Sequence, residues 1–247
     1  GEGSVWVAAS KNDGTFAGRI LRIDPKTREV QADIPVEVIP TWVVGGGAMV
    51  VADGSLWVTG ALDRPGAFND PGGGADAAVI RIDTSTNEVV QTFTLGGEIG
   101  ADLSFLDGDL WVLLFGDETA DHAMEVVRVD PGTGDVLARV QLGANWAHTL
   151  AAADGRVITI VGGDDAVNED GRLIVIDPAV GAASRIQMPS RHHSTTPVMT
   201  RGQVWISLEP GFTRFDPLAE GFPEPSITLP SRYATCCGFM EGDDRGI

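Results

Sequence analysis

One pattern recurs five times along the 247-residue chain and limits the folds open to it. A Gly-x-Leu/Val-Trp segment is followed by an Ile/Val/Phe-Asp turn and a further apolar run. The copies begin "GSVWVAAS", "GSLWVTGA", "GDLWVLLF", "GRVITIVG" and "GQVWISLE". Their turn aspartates are Asp24, Asp83, Asp130, Asp177 and Asp216, at steps of 59, 47, 47 and 39 residues. Trp6, Trp57, Trp111 and Trp205 share one register, with Ile158 in the fourth copy. A repeat of this length marks a repeat architecture in which each unit buries its apolar face against the next.

Each unit contains four short runs rich in Val, Ile, Leu and Trp, separated by Asp-Gly or Asp-Pro turns, the signature of antiparallel hairpins. Runs such as "LWVLLF" and "RLIVID" are apolar at consecutive positions, so both faces of their sheet must be covered. Four-stranded sheets stacked face to face around an axis meet that demand. The expected fold is therefore an all-β β-propeller with about five blades visible. The expected blade segments are 1–36, 41–95, 98–142, 146–188, 194–229 and 232–247 of a single domain. The first copy lacks an inner strand and the last stops after one, which favours part of a six- or seven-bladed ring over a closed ring of five.

A meander of this kind sends its 1–2 and 3–4 turns to one end and its 2–3 and 4–1 connections to the other. The first set is terse, and an Asp opening such a turn caps backbone N–H groups, so those aspartates are expected to be structural. The second set is long, irregular and acidic, and irregular loops on a rigid scaffold are where binding resides. It gathers Trp42, Asp102, Trp146, His148, His192, His193 and Tyr233, which form the expected ligand-binding set. His148, His192 and His193, with Asp102 or Glu98, have the chemistry for general acid–base work or for a divalent metal. The acidic loops add weaker cation candidates, Asp63, Asp70 and Asp76 in one and Asp164, Asn168 and Asp170 in another, suited to calcium or magnesium.

The two cysteines, Cys236 and Cys237, are adjacent on what reads as an inner strand. They read best as buried thiols, with a vicinal disulfide as the alternative; adjacent cysteines make neither a disulfide framework nor a zinc site, since both need spaced ligands. A net charge of −18 and a pI near 4.4 exclude nucleic acid and anionic membrane surfaces as expected partners. No apolar run is long enough for a membrane-spanning helix, so no membrane insertion is expected. Protein or small-molecule ligands remain.

The segments "DGSLWVTG…VIRIDTSTNEVVQTFTLGG" and "DGDLWVLLF…VVRVDPGTGDVLARVQLG" resemble the repeats of bacterial YVTN-type and virginiamycin B lyase (streptogramin lyase)-like β-propellers. The resemblance spans nearly the whole chain. It implies a secreted or cell-surface bacterial propeller, and in some members a lyase or lactonase with a metal at the channel mouth. On that implication His148 and His193 are the weak catalytic candidates. The lyase repeats carry Glu three places after the Trp; here those places hold Ala9, Gly60, Leu114 and Leu208. The leading expectation is thus ligand or partner binding without catalysis, and the alternative is a metal-assisted lyase or lactonase.

Overall fold

The computed structural model describes residues 1–10, 18–39, 49–62, 76–97, 99–115, 124–143, 146–162, 172–179, 181–187, 197–200, 203–208, 211–216 and 227–228. Among these residues twenty strands form five antiparallel sheets, one per sequence repeat. The first blade holds β1 (Val5–Ser10), β2 (Gly18–Ile23) and β3 (Val30–Val36). The second holds β4 (Val38–Ile39), β5 (Met49–Ala52), β6 (Ser55–Leu62), β7 (Ala77–Asp83) and β8 (Glu88–Thr94). The third runs β9 (Ile99–Leu106), β10 (Asp109–Phe115), β11 (Glu125–Val129) and β12 (Val136–Gln141). The fourth is β13 (Trp146–Ala153), β14 (Arg156–Gly162), β15 (Arg172–Asp177) and β16 (Ala182–Gln187). The fifth is β17 (Val198–Thr200), β18 (Gln203–Leu208), β19 (Gly211–Phe215) and β20 (Ile227–Thr228).

Alternation along each central strand sends neighbouring side chains to opposite faces. In β6, Leu56 and Val58 pack with Ile20 and Ile34 of the first blade, while Trp57 packs with Leu103 and Val112 of the third. In β10, Leu110 and Val112 turn back to the second blade, while Trp111 and Leu113 meet Val157 and Ile174 of the fourth. In β14 and β15, Ile158 and Val175 join Val204 and Ile206 of the fifth. The core therefore lies in the seams between successive blades, which is why the sequence is apolar on both strand faces. These are the stacked antiparallel sheets of a β-propeller, four-stranded in the third, fourth and fifth blades.

Turn chemistry fixes the register. Asp53-Gly54, Asp107-Gly108 and Asp154-Gly155 connect the first and second strands of their blades, with both residues at positive φ. That is the hairpin turn whose twist matches the flanking strands. The 3–4 turns repeat a second device. The Oδ1 atoms of Asp24, Asp83 and Asp130 each accept the N–H groups two and three residues on, at 2.7–3.2 Å. In these three and at Asp177, the aspartate carbonyl accepts the N–H four residues on. The carboxyl of Asp83 is held below its ordinary range by the Ser85 hydroxyl, then by the Thr86 and Ser85 N–H groups. These aspartates hold turns.

Candidate functional site

The strands of each blade carry the 2–3 connections to one end of the molecule, and there the inner strands are irregular at one common level. β9 pairs with β10 from Leu106↔Asp109 to Asp102↔Leu113, then slips past Ala101 so that Gly100 faces Leu114. β13 slips at the same height, between Leu150↔Thr159 and Ala147↔Val161. In the second blade Ile39↔Ala61 and Met49↔Val58 flank the same level, with a longer stretch of sequence between Ile39 and Met49 than between Ile99 and Leu103 of the third. Such bulges bend a strand and re-aim its side chains. The loops expected around Asp102, Trp146 and His148 are thus largely strand, because pairing continues beyond the bulge to Ile99↔Phe115 and Trp146↔Gly162.

Asp102 is the functional candidate whose surroundings are best defined. It lies 4 % exposed on β9. Oδ1 accepts the Leu103 N–H at 2.8 Å, and Oδ2 accepts the Leu150 N–H of the fourth blade, also at 2.8 Å. Two residues along the same face, the Ser104 hydroxyl donates to the Leu150 carbonyl at 3.2 Å. One residue of β13 is thereby gripped at both its N–H and its C=O by β9. Burial pushes the Asp102 carboxyl up to about 8, against the Leu150 and Leu103 N–H bonds, which act to lower it. Close approach continues on the other side: a Cβ on Gly100 would stand 1.9 Å from Thr59 Oγ1 of the second blade.

Each oxygen of Asp102 thus accepts one backbone N–H inside the seam. Trp146 and His148 lie on β13, with side chains outside the described residues. Asp76 sits at the foot of the long second-blade connection, its carbonyl accepting the Leu62 N–H at 3.0 Å. Trp42, His192, His193, Tyr233, Glu98, Asp63, Asp70, Asp164, Asn168, Asp170, Cys236 and Cys237 lie outside the described residues. Among the described residues no three His, Cys, Asp or Glu side chains gather as a metal group, and no helix is long and apolar enough to cross a membrane.

A second set of side chains escaped sequence reasoning. Each register Trp is paired across strands with an Arg: Trp6↔Arg22, Trp57↔Arg81, Trp111↔Arg128 and Trp205↔Arg214. The guanidinium carbon lies 5.1, 5.3, 5.8 and 5.5 Å from the respective ring centroid, within cation–π range. Arg22 also bonds Ser4 at 2.8 Å and the Thr84 carbonyl of the second blade at 2.6 Å. Arg128 bonds Asp109 at 2.6 Å and reaches the Pro178 carbonyl of the fourth blade at 3.4 Å. Thr84 and Pro178 both follow the turn aspartate, so the same contact recurs at two seams. The signal was present: an Arg stands two places before Asp24, Asp83, Asp130 and Asp216, whereas Val175 precedes Asp177.

Comparison with known proteins agrees at the level of fold. The WD40 domain of Neurospora crassa Pan2 superposes with a TM-score of 0.58 at 14% identity, over 86% of this chain and 63% of that one. A Kuenenia stuttgartiensis hydrazine synthase structure matches at a TM-score of 0.47 and 14% identity, over 85% of this chain and 75% of that one. The chain is thus a β-propeller that spans less than two thirds of the Pan2 domain's length. No family model and no curated protein sequence matches it.

Proposed function

We propose that this β-propeller is a non-enzymatic binding protein of the YVTN-type, streptogramin-lyase-like group, acting outside the cell or at its surface. Its binding face is the end carrying the 2–3 and 4–1 connections. The observation that carries this reading is the contrast between the two ends. At one end, turns repeat the same hydrogen bonds blade after blade. At the other, the 2–3 connection varies from residues 63–76 in the second blade to 209–210 in the fifth. A scaffold with one uniform and one variable end concentrates its specificity at the variable end. Trp42, Trp146, His148, His192, His193 and Tyr233 are the side chains we assign to recognition, with a protein or small organic ligand as partner. The acidic composition disfavours polyanions.

The test is a label-free binding screen against defined extracellular proteins, oligosaccharides and small metabolites. The intact protein is compared with a variant carrying alanine at those six positions and with a Lys26→Ala/Thr27→Ala variant of the opposite end. The expected result is a ligand whose Kd weakens at least about tenfold, a loss of some 1.4 kcal/mol, in the first variant and not in the second. Ligands indifferent to the six substitutions contradict the assignment. Metal-dependent turnover of a lactone or streptogramin that is lost on replacing His148 and His193 would replace it with the enzymatic alternative.

A further inference from the structure

We propose that Asp102 makes the joint between the third and fourth blades proton-dependent: the neutral carboxyl keeps the two inner strands together, and its ionisation opens them. The carboxyl is buried in the seam and is the bridging group itself, through Leu103 N–H on its own strand and Leu150 N–H on the next. A carboxylate withdrawn from water needs a counter-charge or a full set of donors to remain ionised at little cost. Two N–H groups are an incomplete set, since a carboxylate accommodates about four.

Among the described residues no counter-charge faces it. The elements packed against β9 are β5, β6, β7, β10 and β13. β5 and β6 contain no ionisable residue. On β7, Arg81 lies over Trp57 and bonds Ser55 at 2.8 Å, and Asp83 caps its own turn. On β10 the ionisable residue is Asp109, at the strand's far end and paired with Arg128. On β13 it is His148, two residues from Leu150, whose side chain lies outside the described residues. Opening the seam gives Asp102 access to water and restores ordinary carboxyl behaviour.

The sign follows from linkage. The closed seam raises the affinity of Asp102 for its proton to a midpoint of about 8. The open seam returns that midpoint to about 4. Between these values the open form has lost the proton and the closed form has kept it, so closure weakens as pH rises and levels off above the closed-state midpoint.

The experiment uses the whole protein, labelled with ¹³C at aspartate. The Asp102 side-chain carbon is followed by NMR while hydrogen exchange is measured at Leu150 and its β13 neighbours. The account expects a carbon midpoint well above the ordinary aspartate range. It also expects opening of β13, after division by the intrinsic exchange rate, to rise by up to about tenfold per pH unit between pH 5 and 7.5. The slope should persist in His148→Gln and vanish in Asp102→Asn. A midpoint near 4, a flat opening profile, a slope that disappears with His148, or one that survives Asp102→Asn each overturns it. Should Asp102→Asn fail to fold, the carbon titration and the His148→Gln profile decide.

Discussion

The seam between the third and fourth blades and the seam between the fourth and fifth use the same strand positions with different chemistry. In the first, Trp111 and Arg128 form the cross-strand pair, and Arg128 ties Asp109 to the following turn. In the second, Ile158 and Val175 occupy those places. An arginine reappears at position 156, two before Ile158, where it faces Asp177 at 3.4 Å. In the first seam Asp102 grips the Leu150 N–H. By strand register its counterpart in the second is Thr149, and the counterpart of Leu150 is Pro197. Proline has no N–H to give. The Thr149 hydroxyl is accordingly buried without a hydrogen-bond partner among the described residues, as is that of Thr213 on β19. Apolar packing closes both seams, but among the described residues only the first shows a polar lock at each end. A repeat scaffold tolerates such inequality because each blade answers chiefly to its two neighbours.

Trp111→Ala is expected to break the comparison most strongly. Removal of a fully buried indole from the first seam should cost about 3–5 kcal/mol in urea unfolding. Arg128→Met should come next, at roughly 2 kcal/mol, because it leaves the largely buried Asp109 carboxylate without its charged donor. Thr149→Val removes a hydroxyl with no hydrogen-bond partner among the described residues, so the second seam should be unchanged or gain up to about 1 kcal/mol. Arg156→Met should have the smallest effect, under about 1 kcal/mol, since its ion pair is long and partly exposed on both sides. If Arg156→Met costs as much as Arg128→Met, the two seams are locked alike and the comparison fails.

Much of the fold was legible in the chain. The repeat, the apolar runs and the Asp-Gly turns specify stacked four-stranded sheets because each rests on local geometry. The Trp register was equally plain, but its partner was missed: the arginine lies on the adjacent strand, at separations from Trp6 to Arg22 and from Trp57 to Arg81 that vary with the intervening loop. Only alignment on the turn aspartate exposes it. Asp102 was expected in a loop open to ligand because "GGEIGADLS" has the glycines and acids of a loop. A one-residue bulge at Ala101 instead carries the strand through it and leaves the carboxyl inside the seam. Bulges break the two-residue period on which strand reading depends. The second blade was expected to begin at 41, and the pairing of Val38–Ile39 with β6 adds an earlier piece that no local pattern announced.

Native-state hydrogen exchange at neutral pH, resolved over peptides covering residues 99–115 and 197–208, compares the two seams in one experiment. Unequal locking predicts that β17 and β18 exchange at least about tenfold faster than β9 and β10, because local opening follows local stability. Equal protection, or slower exchange in the fifth blade, would contradict it.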